Sequence, residues 1–216
     1  MKIRFELTGL MPLLIHADNV EASDELTAWR RDPKNKSITV PGDDRSPGWT
    51  WQSYLTHDGK NVAIPSEYLM VALRQAGSQM ILKKQKTFKE ISQSGMCVHT
   101  EFVEFQGGKG RIDMEDVWAL RDLSFKEQAE KVRNLGFRLF VKRARIQTSK
   151  NIRVRPRFDA WRAVGEIVVF EHAQELTYDV VSKLFQLAGR VGIGDWRPGC
   201  KTPGPFGMFD ATLSKI

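Results

Sequence analysis

Ile3, Phe5 and Leu7 alternate with Lys2, Arg4 and Glu6 at the start of the chain, the period of a strand with one buried face. Gly9 and Pro12 interrupt the pattern, and Leu13-Leu14-Ile15 read as its extension past a kink or bulge. Little regular periodicity follows between 17 and 63. That stretch holds acidic residues from Asp18 to Glu25, a short helical pattern from Leu26 to Arg31, and a Pro/Gly/Asp-rich run, PGDDRSPGWTW. It is too long for a simple connection and reads as an insertion. Helical spacing resumes after Ile64-Pro65. Ser66 is placed to cap the first turn, Leu69 and Leu73 share a face with Ala76 or Ala72, and Gly77 supplies the stop. Val98 to Phe105 read as a strand, and Gly107 to Gly110 as a turn. Ser124-Phe-Lys-Glu127 is a capping box, opening a helix expected to run to Asn134 and stop at Gly136.

The last third is more regular. Trp161 to Phe170 is an apolar strand, and Thr177 caps a helix whose buried face carries Val180, Val181, Leu184, Phe185 and Ala188, ending at Gly189. A Gly/Pro-rich loop, 189–207, leads to a final strand from Met208 to Leu213. With 107–160 set aside as a second insertion, the order is strand, helix, strand, strand, helix, strand. The expected fold is therefore α+β: a ferredoxin-like, RRM-type antiparallel sheet, as one domain spanning 1–216 with insertions at 17–63 and 107–160. No internal repeat is visible.

The second insertion contains the strongest pattern. In RLFVKRARI, Leu139, Val141, Arg143 and Arg145 fall on one side of an extended chain, and Arg138, Phe140, Lys142, Ala144 and Ile146 on the other. Arg153, Arg155 and Arg157 then alternate with Val154 and Pro156. Polar Gln147 to Asn151 lies between. This predicts a β-hairpin with arms at about 137–146 and 152–158.

Charge sharpens the reading. Arg138, Lys142, Arg143, Arg145, Lys150, Arg153, Arg155 and Arg157 are eight cations in a stretch without an acid, in a chain whose formal net charge is +7. Such a strip calls for a negatively charged partner, and nucleic acid fits best; the alternative is a solvated edge hairpin protected from aggregation. Composition at 41% hydrophobic and 27% charged is that of a soluble globular protein. No apolar run approaches a membrane span, and no secretory segment precedes the first strand, so the cytoplasm is the expected location and no membrane partner is expected. Cys97 and Cys200 lack metal-site spacing, although a disulfide between them stays open.

Lys83, Lys84, Lys86 and Lys89 form a second basic cluster. The glycine-rich loop also holds Arg190, Trp196, Arg197 and Lys201, which add charge and a stacking surface to backbone amides suited to anions. It follows a helix and precedes a strand, the reverse of a dinucleotide fingerprint.

Three landmarks, in order, resemble the RAMP superfamily. Leu10-Met-Pro-Leu-Leu-Ile-His16 is similar to its "TPLHIG"-like segment, Ile64 to Arg74 to its "IPGSSLKGALR"-like helix start, and Gly189 to Gly207 to its glycine-rich loop before the final strand. That family supplies guide-RNA-binding backbone subunits of CRISPR effector complexes. The resemblance implies a ferredoxin-like core and a thumb-like role for the hairpin. It also implies phosphate contacts from the lysine cluster and the residues after Gly189. The chain also resembles small phage proteins carrying DDRSP-W-TWQ and HDGK segments, which implies no activity.

The expected function is sequence-tolerant binding of single-stranded nucleic acid, RNA above DNA, by a RAMP-like subunit with no cofactor and no metal. The expected assembly is a homo-oligomer or a larger ribonucleoprotein. Its site residues are Lys83, Lys84, Lys86, Lys142, Arg143, Arg145, Lys150, Arg153, Arg155, Arg157, Arg190, Trp196, Arg197 and Lys201. Two alternatives remain open. One is a RAMP-type endoribonuclease with His16 near Asp18 and Asp24, or with Asp43-Asp44 and His57-Asp58 joining those acids at a metal. The other is a phage protein that binds another protein through the hairpin. Asp43-Asp44 and His57-Asp58 also read as turn formers.

Overall fold

The computed structural model describes residues 1–146 and 149–216, with only the backbone of Arg145, Ile146 and Ser149. In chain order the elements begin β1 (Lys2–Gly9), β2 (Leu13–Leu14), α1 (Val20–Arg31), β3 (Ala63–Pro65), α2 (Ser66–Gly77), β4 (Ile81–Lys83) and β5 (Lys86–Thr87). They continue with α3 (Lys89–Ser94), β6 (Met96–Val98), β7 (Phe102–Gly107), α4 (Met114–Trp118) and α5 (Phe125–Lys131). The last are β8 (Arg138–Ile146), β9 (Ser149–Phe158), β10 (Trp161–Val169), α6 (Tyr178–Val191) and β11 (Phe209–Lys215). The fold is α+β, and the chain divides into two compact units.

One unit gathers Met1–Leu13, Ala63–Gln106 and Ala160–Ile216. Its sheet runs β11-β1-β10-β7-β3, with β6 also paired to β10. The pairs β1–β10, β1–β11, β10–β6 and β3–β7 are antiparallel. Helix α2 carries the chain from β1 across β10 to β6 and β7, and α6 carries it from β10 across β1 to β11. That interleaving is the split βαβ arrangement of a ferredoxin-like, RRM-type sheet. The alternation read in β1 is its cause: Ile3, Phe5 and Leu7 are buried, and Phe5 meets Phe185 of α6 at 5.5 Å between ring centroids. Leu69, Ala72, Leu73 and Ala76 of α2 are buried with Val181, Leu184, Phe185 and Ala188 of α6. Each large apolar side chain so buried contributes about 1.5–3 kcal/mol.

The other unit combines two stretches remote in sequence, Leu14–Val62 and Gly107–Asp159. They are laced together by backbone and side chain. Val62 N donates to Ile112 O (2.9 Å), Met114 N to Lys60 O (2.8 Å), and the fully buried Trp51 gives its indole N–H to Gln128 Oε1 at 2.6 Å. Trp51, Phe137 and Phe158 pack ring to ring in its core. Strands β8 and β9 form the predicted basic hairpin, and β2 completes a sheet in the order β2-β9-β8. Gln147 and Thr148, in the polar link read as a turn, lie outside the described residues.

Several boundaries moved, each for a tertiary reason. Ser66 is the first residue of α2 and not its cap; its N–H donates to Glu101 O at 2.8 Å, so the helix start is tied to the chain leading into β7. Helix α6 continues past Gly189 to Val191, and Gly192, at a φ of 76°, caps it. Gly189 serves another purpose: a Cβ there would lie 2.1 Å from Phe209 O, so only glycine lets β11 come this close. The strand expected over 98–105 is two strands, β6 and β7, split at His99–Glu101. Helix α1 begins earlier than the expected Leu26, at Val20, where Asn19 accepts from Ala22 N. The capping box forms as read, with Ser124 and Glu127 bonded reciprocally.

Candidate nucleic-acid interface

The register of β8 against β9 decides where the cations go. Arg138 opposes Arg157, Phe140 opposes Arg155, Lys142 opposes Arg153 and Arg145 opposes Lys150. Because faces alternate along each strand, Arg138, Lys142, Arg153, Arg155 and Arg157 share one face with Phe140 among them. Val154 and Phe158, on the other face, are fully buried. The base of the ribbon is therefore held by its apolar face; on the basic face Arg138 and Lys142 are exposed and Arg153, Arg155 and Arg157 half-buried. Towards the tip, Val141 is 45% exposed and Arg143 and Lys150 are also exposed.

Carboxylates pair with this face, Asp159 and Asp44 among them. Asp159 bonds both Arg138 and Arg157, at 2.7 Å in each ion pair. Asp44 bonds Arg153 Nη1 at 2.9 Å and also accepts from Val154 N at 3.0 Å. Asp44 is nearly inaccessible, its side chain 3% exposed. Its own N–H donates to Ile152 O, and Ile152 N to Gly42 O, so the segment around Asp44 lies along β9. The turn-rich PGDDRSPG stretch thus supplies the ribbon's buried counterion. Its neighbour Asp43 is bonded by Arg45, whose hydrogen bonds hold the Asp43 carboxyl below the usual range.

Tyr54 is bonded to Asp44. Burial first, and then the negative charge of Asp44, push the Tyr54 phenol up to about 12. His16 packs on the same ring at 4.3 Å between centroids. Around them opens a cleft of ≈400 Å³, lined by His16, Asp18, the start of α1, Tyr54, Arg153 and Arg155. Two guanidinium-bearing side chains from β9 and an aromatic pair face one cavity. Such a wall suits a phosphate together with a planar ring.

Other predicted residues lie in the other unit. Lys83 and Lys86 pair across the β4–β5 hairpin, with Lys84 in its turn at φ 54°, and all three are exposed. Arg190 and Lys201 are exposed near the glycine-rich loop. Arg197 is held inward, bonded to Gln75 Oε1 at 3.3 Å and Cys200 Sγ at 3.1 Å. Trp196 packs on Phe206 at 5.5 Å, and Gly204 is flush against its indole, where a Cβ would come within 2.4 Å of Cδ1. That tryptophan braces the loop. The Arg145 side chain lies outside what the structure describes.

Asp58, like Asp43 and Asp44, has a structural duty. Asp58 accepts from Asn61 N and Lys60 N, and those amides hold its carboxyl low. His57 Nδ1 accepts from Gly59 N at 3.2 Å. Among the described residues, no group of three or more His, Cys, Asp or Glu gathers to hold a metal. Among them also, no helix is long and apolar enough to cross a membrane. Sequence reasoning missed the roles of Asp44 and Tyr54, because a counterion more than a hundred residues from its arginine leaves no local signal.

No family model matches the chain, and no curated protein matches it. Among solved structures, Cmr6 from Pyrococcus furiosus is similar at 11% identity over 97% of each chain, with a TM-score of 0.37.

Proposed function

We propose that this chain binds single-stranded nucleic acid, RNA in preference to DNA, along the basic face of the β8–β9 ribbon, as a RAMP-like subunit of a ribonucleoprotein. The observation that carries the reading is the cross-strand register. Arg138 faces Arg157, Lys142 faces Arg153 and Arg145 faces Lys150. Like charges directly opposite in a ladder destabilise a sheet. Asp44 and Asp159 are among the counterions of that face, and the strip from Arg138 to Arg157, with eight cations and no acid in its sequence, carries positive charge that a polyanion would neutralise.

The aromatic components are consistent with this. Phe140 lies beneath the Arg157 guanidinium at 5.8 Å, and His16 and Tyr54 border the cleft walled by Arg153 and Arg155. Charge along a groove with aromatics among it is how single strands are held without base reading. RNA as the preferred strand, and side-by-side assembly in the cytoplasm, follow from the RAMP resemblance of the Leu10–His16, Ile64–Arg74 and Gly189–Gly207 segments. The interleaved sheet order agrees with that family's core.

Purification without nuclease tests the proposal. The expected result is an absorbance ratio showing co-purified nucleic acid that ribonuclease removes, deoxyribonuclease leaves and high salt strips off. Protein that is free of nucleic acid, and that fails to bind single-stranded RNA in dilute buffer, would overturn it.

A further inference from the structure

A second cleft in the unit that carries the ribbon has a different chemistry. It measures ≈310 Å³, the small end of ligand-pocket sizes of about 300–1,000 Å³. Arg121 lies over the Trp49 ring, its guanidinium carbon 4.1 Å from the centroid, and an ion pair with Glu25 fixes it there. The plane of that guanidinium is thus ordered before any ligand arrives. Trp118 also lines the cleft; it is 44% exposed and meets His57 edge to face at 5.8 Å. An indole half open beside a concavity offers a flat stacking surface.

Gln52 adds a polar requirement. It is 6% exposed and lines the same cleft. Its Nε2 donates to Val117 O at 3.1 Å, which fixes the amide orientation, and its Oε1 is buried with no hydrogen-bond partner among the described residues. A buried acceptor left unpaired favours any ligand that brings a donor. It is closed to bulk solvent, so that donor must come on a group that parts the cleft wall.

We infer that this cleft receives one nucleobase extruded from the bound strand, stacked against Trp118 and the Arg121 plane, with its exocyclic amino group donated to Gln52. Arginine planes and aromatic rings are the surfaces on which splayed bases stack, and the base edge then meets polar side chains. Glu25 offsets the charge of Arg121, so what the guanidinium offers a ligand is its plane, and a flat ring suits it. This inference rests on the ribbon reading and adds a base preference to it. Strands offering amino-bearing bases bind more tightly than strands without them.

The test compares a short labelled oligo(A) with the same oligomer in which every adenine is replaced by purine, the same ring without the amino group. The parent is expected to prefer oligo(A) several-fold. Trp118→Ala, at a half-exposed site that tolerates truncation, should weaken oligo(A) binding about tenfold, abolish the preference and leave the salt dependence unchanged. Gln52→Met should abolish the preference while keeping the affinity for the purine oligomer. Parent-like affinity and preference in Trp118→Ala would overturn the inference, and the ribbon reading would stand if alanines at Lys142, Arg143, Lys150 and Arg155 weakened both oligomers. Loss in Trp118→Ala of affinity for an arginine-rich peptide, with oligomer binding intact, would give the cleft to a protein partner and also overturn it. Failure of the parent to bind either oligomer would sink the ribbon reading itself.

Discussion

Asp44 shows how one residue's duty escapes the sequence. It lies in PGDDRSPG, where Pro, Gly and Asp are the ordinary material of turns. Its neighbour Asp43 does serve locally, held by Arg45 two residues on. Asp44 instead turns inward to bond Arg153, Val154 N and Tyr54, and only the folded chain brings these together. Removing one partner of a buried ion pair costs about 3–5 kcal/mol, and Arg153 is partly exposed, so Asp44→Ala should cost about 2–3 kcal/mol in urea unfolding. A loss below about 0.5 kcal/mol, the range of ordinary surface substitutions, would show that the pair does not anchor the ribbon. Tyr54 gives a pH signature. Its phenol ionises at about 12 in the folded protein against an ordinary value of 10.0. Between those values the unfolded chain has released a proton that the folded chain keeps, so stability falls as pH rises through the window. Tyr54→Phe should remove that part of the alkaline decline, measured by thermal unfolding of both proteins from neutral pH upward. Identical alkaline slopes in the two would contradict the buried placement of the hydroxyl.

The ribbon is the element in which sequence and structure agree most closely. Alternation in RVRPR, and apolar and basic residues divided between the two sides of RLFVKRARI, read as a strand pair, and the arms run Arg138–Ile146 and Ser149–Phe158. Helix α6 was legible for a similar reason, since Val181, Leu184, Phe185 and Ala188 repeat at helical spacing and Thr177 caps them. Its end was not legible: Gly189 looks like a stop but is where the β11 backbone makes its close approach. Likewise Trp196 looks like an exposed stacking surface yet packs on Phe206, because nothing local announces the glycine behind its ring. The ribbon cations themselves separate into two kinds. Lys142, Arg143 and Lys150 are exposed, whereas Arg153 is tied to Asp44. Alanine at the exposed Arg143 and Lys150 together should leave the melting temperature nearly unchanged and weaken single-strand binding across sequences. Alanine at Arg153 should lower the melting temperature by several degrees, since it leaves Asp44 buried and uncompensated. Equal melting behaviour in the two variants would erase the distinction.

At the scale of the whole molecule, the alternating β1, α2, β10, α6 and β11 patterns were enough to indicate an RRM-type sheet, because each element's period is set by the single face it buries. Less legible was that the stretches expected as separate insertions, 17–63 and 107–160, fall almost wholly in one compact unit made of Leu14–Val62 and Gly107–Asp159. Irregular stretches such as PGDDRSPGWTW carry no period. Their order comes from partners such as Gln128, which receives the Trp51 indole from far along the chain. A peptide of 107–159 alone, without Trp51, Val62 and the Asp44 counterion, should therefore show no fixed near-ultraviolet circular dichroism. A cooperatively melting peptide would refute that dependence. The most direct trial of the central claim is the affinity of the intact protein for labelled single-stranded RNA, titrated over a range of salt concentrations beside the Lys142, Arg143, Lys150 and Arg155 alanine variant. Log affinity of the parent should fall with log salt by about 0.7 for each phosphate neutralised, and the variant should bind more weakly, with a slope shallower by about that amount for each phosphate it no longer neutralises. Equal affinities and equal slopes in the two proteins would contradict an account in which this ribbon holds the strand.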